Sequence, residues 1–167
     1  MKMCSIASGS SGNCIYVANK DTHILIDAGI SKKRIVEGLR SIGVDINEIN
    51  AILITHEHSD HISGLGVMAR AYEIPIYSTK ETLNAIDSYK KIGDINKELY
   101  RDVLPDKEFF INTLSIKPFS TSHDASNPVC YVIESDGKKV AVATDLGEYN
   151  EYIISNLEDL DMVLIEA

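Results

Sequence analysis

The segment His56-Glu57-His58-Ser59-Asp60-His61 sets three imidazoles and Asp60 in the pattern H-x-H-x-D-H. Imidazole and carboxylate donors suit Zn, Mn or Fe. In an extended or turning loop, His56 and His58 can point at one ion, while Asp60 and His61 reach a second. Two ions roughly 3.5–4 Å apart need further donors from elsewhere in the chain. His123, in Thr121-Ser122-His123-Asp124, and Asp145, in Ala143-Thr144-Asp145-Leu146-Gly147, are suitable suppliers. Nothing in folding requires four such groups clustered directly after an apolar run, so ordinary surface histidines do not account for them. The fifth histidine, His23, falls in a hairpin strand and reads as structural.

These side chains need rigid elements to aim them. The run Ala51-Ile52-Leu53-Ile54-Thr55 reads as a strand buried on both faces, and the polar hexamer follows it directly. Upstream, strands are expected over 1–6, 14–18 and 23–26. The last ends in Leu25-Ile26-Asp27-Ala28-Gly29, and Asn19-Lys20-Asp21-Thr22 makes a hairpin turn. Ser31 is a good N-cap for a helix through Ile35, Leu39 and Ile42, with Gly43 as its stop. Downstream, the patterning predicts helices over 62–72 and 80–92, a strand at 76–78, and a polar stretch without clear pattern over 93–108. Strands follow near 109–111, 113–119, 129–135 and 138–144, with Asp136-Gly137 as a hairpin turn between the last two. A helix at 149–157 leads into a strand at 162–166. Hairpins together with helical crossovers imply an α/β sandwich with mixed sheets. His123 and Asp145 each directly follow an expected strand.

Composition narrows the class. The 167 residues suit about one domain, and 44% hydrophobic content supplies a core. A disordered chain, a collagen-like chain and a disulfide scaffold are excluded. No stretch approaches the ~20 apolar residues of a membrane span, and no export signal is visible. Cys4, Cys14 and Cys130 are odd in number and widely spaced, which fits a reducing compartment. Cys14 reads as an inward-facing strand residue and not a nucleophile. The net charge is −9, with six basic and five acidic residues up to position 55 and ten basic and twenty acidic after it. A basic groove is therefore absent from the bulk composition. The one basic cluster, Lys32-Lys33-Arg34 with Arg40 beyond it, opposes the helix dipole at its N-terminus and is a candidate set of phosphate contacts. The loop Ala7-Ser8-Gly9-Ser10-Ser11-Gly12-Asn13 could offer backbone N–H groups to an anion, with Ser8, Ser10, Ser11 and Asn13 as candidate substrate contacts.

The strand ending at Asp27, the signature at 56–61, the strand-end His123 and Asp145 in Thr144-Asp145-Leu146-Gly147 fall in one order. That order resembles the metallo-β-lactamase-fold superfamily over nearly the whole chain. The opening Ser5-Ile6-Ala7-Ser8-Gly9-Ser10-Ser11-Gly12-Asn13-Cys14-Ile15-Tyr16-Val17 and the context Ile54-Thr55-His56-Glu57-His58-Ser59-Asp60-His61-Ile62-Ser63-Gly64 are similar to its YycJ/VicX (WalJ) branch. That branch comprises bacterial cytoplasmic proteins regarded as DNA exonucleases. The resemblance implies an αβ/βα four-layer sandwich with mixed sheets. It implies that His56, His58 and His123 bind a first metal, that Asp60 and His61 bind a second, and that Asp145 bridges both. Asp27 would orient the loop or a ligand imidazole from behind. The family's final histidine has no counterpart after His123, and its second half is only begun. The expectation is therefore a single domain over 1–167 that is a piece of a longer one, with a weakened second metal site. Glu166 receives no role.

The implied chemistry is hydrolysis with two divalent ions, Zn or Mn, with Fe also suitable. The ions would lower the pKa of a water, polarise the scissile group and orient the leaving group. The nucleophile would then be a metal-bound hydroxide, with Asp60 as a ligand and candidate proton acceptor. DNA is the expected substrate. The alternatives are a small-molecule hydrolase of the same fold (thioester, lactone or cyclic phosphodiester) and a metal-binding fragment without catalysis. Fold alone does not decide among them.

Overall fold

The computed structural model describes residues 1–166. Two mixed β-sheets pack face to face, and helices cover both outer surfaces. The first sheet contains β1 (Lys2–Ala7), β2 (Cys14–Ala18), β3 (His23–Ile26), β4 (Ile49–Leu53), β5 (Ile76–Ser78) and β6 (Tyr100–Asp102), in that spatial order. Strands β1 to β3 are antiparallel, whereas β3 to β6 run parallel. The second sheet has the order β11 (Met162–Ile165), β10 (Lys138–Ala143), β9 (Val129–Ser135), β8 (Leu114–Ser120) and β7 (Phe109–Ile111), with only β10 and β11 parallel.

Alternation along the strands divides the core into three layers. From the first sheet, Ile15, Val17, Ile24, Ile26, Ala51 and Leu53 face Ile116, Val129, Tyr131, Ile133, Val140 and Val142 of the second. The opposite face of the first sheet, including Tyr16, Leu25, Ile52 and Ile54, packs on helices. These are α1 (Lys32–Ser41), α2 (Ser59–Ile62), α3 (Leu65–Tyr72) and α4 (Lys80–Ser88). Beyond the second sheet, Phe119, Cys130, Val132 and Ala141 pack on Ile153 of α5 (Glu151–Asn156). The order of layers is the expected αβ/βα sandwich. Burial on both faces explains why β2 and β4 read as nearly continuous apolar runs.

Local signals act as their chemistry predicts. Ser31 Oγ accepts the Arg34 N–H at the start of α1, and Gly43 follows its end at φ 77°. Asn19 Oδ1 accepts the N–H groups of Asp21 and Thr22 in the first hairpin turn. Asp136 and Gly137 both have positive φ, as a type I′ turn requires.

Four expectations need correction. Strand β4 covers 49–53 instead of 51–55: Ile54 still bonds Tyr77 O, but the Thr55 N–H is taken by an Asp27 carboxylate oxygen. The helix expected over 62–72 breaks at Ser63-Gly64, because Gly64 passes so close to Ile30 O that no side chain fits between them. Helix α4 ends at Ser88, and residues 90–92 form a separate 3₁₀ turn. The stretch read as unpatterned contains edge strand β6, whose Tyr100-Arg101-Asp102 is polar and mostly exposed and so lacks an apolar run to mark it.

Candidate metal centre

All the candidate donors sit at one edge of the sandwich. Asp27 follows β3, His56 follows β4, His123 follows β8 and Asp145 follows β10. The two sheets are joined here by a bond from Val129 N to Thr55 O at 3.0 Å. Both Asp27 and Asp145 occupy left-handed backbone, at φ 62° and 53°. Aspartate tolerates that region better than most residues, so each strand can turn sharply and present its carboxylate.

Two groups of donors converge. Ligand atoms of His56, His58 and His123 form one group, and those of His56, His61 and Asp145 form the other, all within 4.8 Å of one another in each group. His123 Nε2 lies 3.2 Å from His58 Nδ1. Asp145 Oδ2 lies 3.0 Å from His61 Nε2 and 3.7 Å from His56 Nε2, while its Oδ1 is 4.0 Å from His123 Nε2. Asp145 therefore spans the two groups. Asp60 stands beside the second, with Oδ2 3.4 Å from His61 Nε2.

The buried imidazoles are oriented from behind. His61 Nδ1 lies 2.7 Å from Asp27 Oδ2, which directs its Nε2 at the cluster. Thr55 Oγ1 donates to Asp27 Oδ2 at 2.9 Å and lies 3.0 Å from His56 Nδ1. One carboxylate thus orders two imidazoles, one of them through Thr55. Burial, followed by the neighbouring His61, His58 and His123, pushes the His56 pKa down to about 2. For His61, burial opposes the charge, but Asp27, Asp60 and Asp145 lift its pKa to about 9.

His56 Nε2 is buried and has no hydrogen-bond partner. An unpaired buried polar atom is costly. Here it faces three other imidazoles and a carboxylate, and in each group the donor atoms are close enough to hold one cation. The donor set fits a borderline divalent ion.

A family model for the metallo-beta-lactamase superfamily matches residues 7–166. This chain belongs to the metallo-beta-lactamase superfamily. Members of that superfamily bind divalent metals, and the His/Asp cluster stands where such donors are gathered in this chain. The chain is 39% identical over 164 residues to exodeoxyribonuclease YycJ of Bacillus anthracis, covering 97% of this chain and 61% of that protein. It is 37% identical over 166 residues to exodeoxyribonuclease WalJ of Streptococcus pneumoniae, covering 99% of this chain and 62% of that protein. It therefore spans about three fifths of the curated relatives it matches. Among solved structures, the Rm3 metallo-beta-lactamase superposes with a TM-score of 0.73 at 17% identity, over 98% of this chain and 74% of that one. That likeness bears on the fold alone.

The remaining candidates of this superfamily chain divide. The Ser8–Asn13 loop borders the site, since Asn13 N bonds Asp60 O at 2.8 Å. Ser8, Ser10 and Ser11 are exposed, and Ser8 Oγ donates to Glu166 Oε2 at 3.3 Å. Asn13, a candidate substrate contact with them, is buried. Its amide donates to Gly9 O and lies 3.3 Å from His61 Nε2, so it packs the loop onto the cluster. Lys32, Lys33 and Arg34 begin α1 just past the Asp27 turn. Lys32 Nζ sits 6.0 Å over the Tyr72 ring and Lys33 pairs with Glu37 at 3.9 Å. No hydrogen bond or ion pair among the described residues joins them to the cluster. Burial raises the Cys14 thiol well above its usual range, in line with its reading as a core residue. His23 bonds Tyr16 Oη at 2.6 Å, away from the cluster.

Two further residues support the site without donor chemistry of their own, Thr55 and Gly29. A Cβ on Gly29 would stand 1.6 Å from Asp60 O. Thr55 immediately precedes the histidine signature, and that adjacency was the available signal.

Proposed function

We propose that this chain is a hydrolase of phosphodiesters, specifically an exonuclease acting on DNA ends in the cytoplasm. The carrying observation is the pair of donor groups that share His56 and are spanned by Asp145. Identity of 37–39% over nearly the whole chain to proteins named exodeoxyribonucleases supports the substrate class. The free state of all three cysteines agrees with a reducing compartment. No helix among the described residues is long and apolar enough to cross a membrane.

In this reading His56, His58 and His123 would hold one divalent ion, and His61, Asp60 and Asp145 would hold a second; Zn or Mn suits both donor sets. Bound ions supply Lewis acidity and a lowered pKa for water at neutral pH. The chain's own residues do the rest. Asp27 fixes the His61 ring, Thr55 fixes His56, and Asp145 sets the spacing of the groups. Asp60, partly exposed at the margin, accepts a proton during hydrolysis. Two divalent ions against two carboxylates leave the site locally positive within an acidic protein. Lys32, Lys33 and Arg34 serve as phosphate contacts beyond it.

The test uses end-labelled DNA with Zn²⁺ or Mn²⁺, with and without chelator, alongside the chain bearing His58→Ala. Progressive loss of terminal nucleotides that needs metal and His58 supports the proposal. Turnover of bis(p-nitrophenyl) phosphate or a thioester with intact DNA overturns the nuclease reading in favour of a small-molecule hydrolase.

A further inference from the structure

Alternate residues of an extended segment face opposite ways. His56 and His58 turn into the donor cluster, and Glu57 between them turns toward the loop that carries His123. Glu57 Oε1 accepts both the backbone N–H and the Oγ–H of Ser126, each at 2.8 Å. Ser126 is three residues beyond His123, and a bond from Ala125 N to His123 O at 2.9 Å folds the chain tightly between them. A shift at Ser126 is therefore passed to the His123 ring within one turn.

The next residue is anchored separately. Asn127 O accepts from Thr79 Oγ1 at 2.9 Å and from Thr82 Oγ1 at 3.4 Å, and its side-chain amide donates to Glu81 Oε2 at 3.1 Å. At the other end Thr121 bonds Pro128 O and Asp145 O. The loop thus keeps its attachment to α4 and to the second sheet without Glu57. Between those anchors, where His123 sits, Glu57 holds the segment through Ser126, and Ser122 O packs against Gly147 on the near side.

We propose that Glu57 is a positioning residue for the His56–His58–His123 metal site. Through Ser126 it sets the placement of the third imidazole relative to the two that flank it in sequence. The inference rests on reading those three histidines as metal donors. The histidine segment would then supply two donors and, from the residue between them, the tether for a third that arrives from the other sheet.

The experiment measures Zn²⁺ affinity by competition with a chromophoric chelator, and the visible absorption of the Co²⁺-substituted chain, for wild type, E57A, E57Q, S126A and E57A/S126A. Metal-free thermal midpoints are recorded for each. E57A should weaken Zn²⁺ binding about 10–100-fold, the range for loss of a group that orients a ligand. It should also alter the Co²⁺ spectrum, while the metal-free midpoint stays near wild type. E57Q should restore most of both, because an amide oxygen still accepts the two Ser126 protons, while its N–H₂ replaces Glu57 Oε2, which is buried without a partner. S126A should fall between, and the double variant should be no worse than E57A. Wild-type affinity and spectrum in E57A overturn the inference, as does an E57Q variant as impaired as E57A. A wild-type chain that binds neither ion overturns the inference together with the metal reading. A chain that shows the expected pattern without degrading DNA supports the inference and sinks the exonuclease reading alone.

Discussion

Asp27 Oδ2 lies 2.7 Å from His61 Nδ1, and Asp27 is itself held in left-handed backbone at φ 62°. Its other oxygen accepts the Thr55 N–H at 2.8 Å, which ties the end of β3 to the start of the histidine segment. Asparagine also tolerates the left-handed region, so Asp27→Asn removes charge with little backbone cost. Zn²⁺ affinity should fall about 10–100-fold, as for other losses of a ligand-orienting partner, with an unchanged far-ultraviolet circular dichroism spectrum. Wild-type affinity in a chelator competition would count against this role.

Metal should stabilise the fold by mass action. At a free Zn²⁺ concentration 100 times Kd the gain is about 2.7 kcal/mol. At roughly 2–4 °C per kcal/mol for a chain of this size, the thermal midpoint should rise by about 5–11 °C and return on adding chelator. An identical midpoint with and without metal would exclude tight binding to the folded state.

Much of this was legible because the chemistry is dense in sequence. His56, His58, Asp60 and His61 fall within six residues of a buried strand, and His123 and Asp145 each follow a strand that alternation makes visible. Capping and turn residues marked the ends of α1 and of both hairpins, since those signals act within a few residues. What escaped were relations that exist only after folding. Asn13 reads from sequence as a candidate substrate contact, and its burial against Asp60 and His61, a packing relation, is visible only in the folded chain. The break at Gly64 depends on Ile30, thirty-four residues away, and no local pattern encodes that distance. Strand β6 pairs in parallel with β5 and owes its conformation to that partner more than to its own three residues.

Close approach of backbones should make certain glycines intolerant of any side chain. A Cβ at Gly29 would lie 1.6 Å from Asp60 O, and one at Gly147 would lie 1.7 Å from Ser122 O. Both obstacles are backbone atoms and cannot rotate away. Gly29→Ala and Gly147→Ala should each cost about 1–3 kcal/mol, as overpacking does, and each should also weaken Zn²⁺ binding. Urea denaturation checks the first effect. Gly9, with open space around its Cβ position but φ 123°, offers a comparison in which strain acts without a clash.

Tyr131 reaches from the second sheet to donate its hydroxyl to Ile54 O at 2.8 Å, and Ser78 Oγ donates to the same carbonyl at 2.8 Å. Because Ser78 remains, Tyr131→Phe leaves the carbonyl satisfied. The cost should therefore fall at the low end of a net hydrogen bond, about 0.5–1 kcal/mol. Combining it with Ser78→Ala strands the buried oxygen and should cost more than the two single changes together. Strict additivity in denaturant midpoints would show that the carbonyl finds no need of either donor.

The candidate donors are drawn from both sheets: His56, His58 and His61 follow the first, while His123 and Asp145 follow the second. A cation held between them becomes a clasp across the sandwich, closing a long circuit of chain that otherwise depends on apolar contact and a few hydrogen bonds. Opening one sheet would then require letting go of the other. In the clasped state, backbone amides of β4 and β10 should lose their separate rhythms of hydrogen exchange and come apart on a single clock.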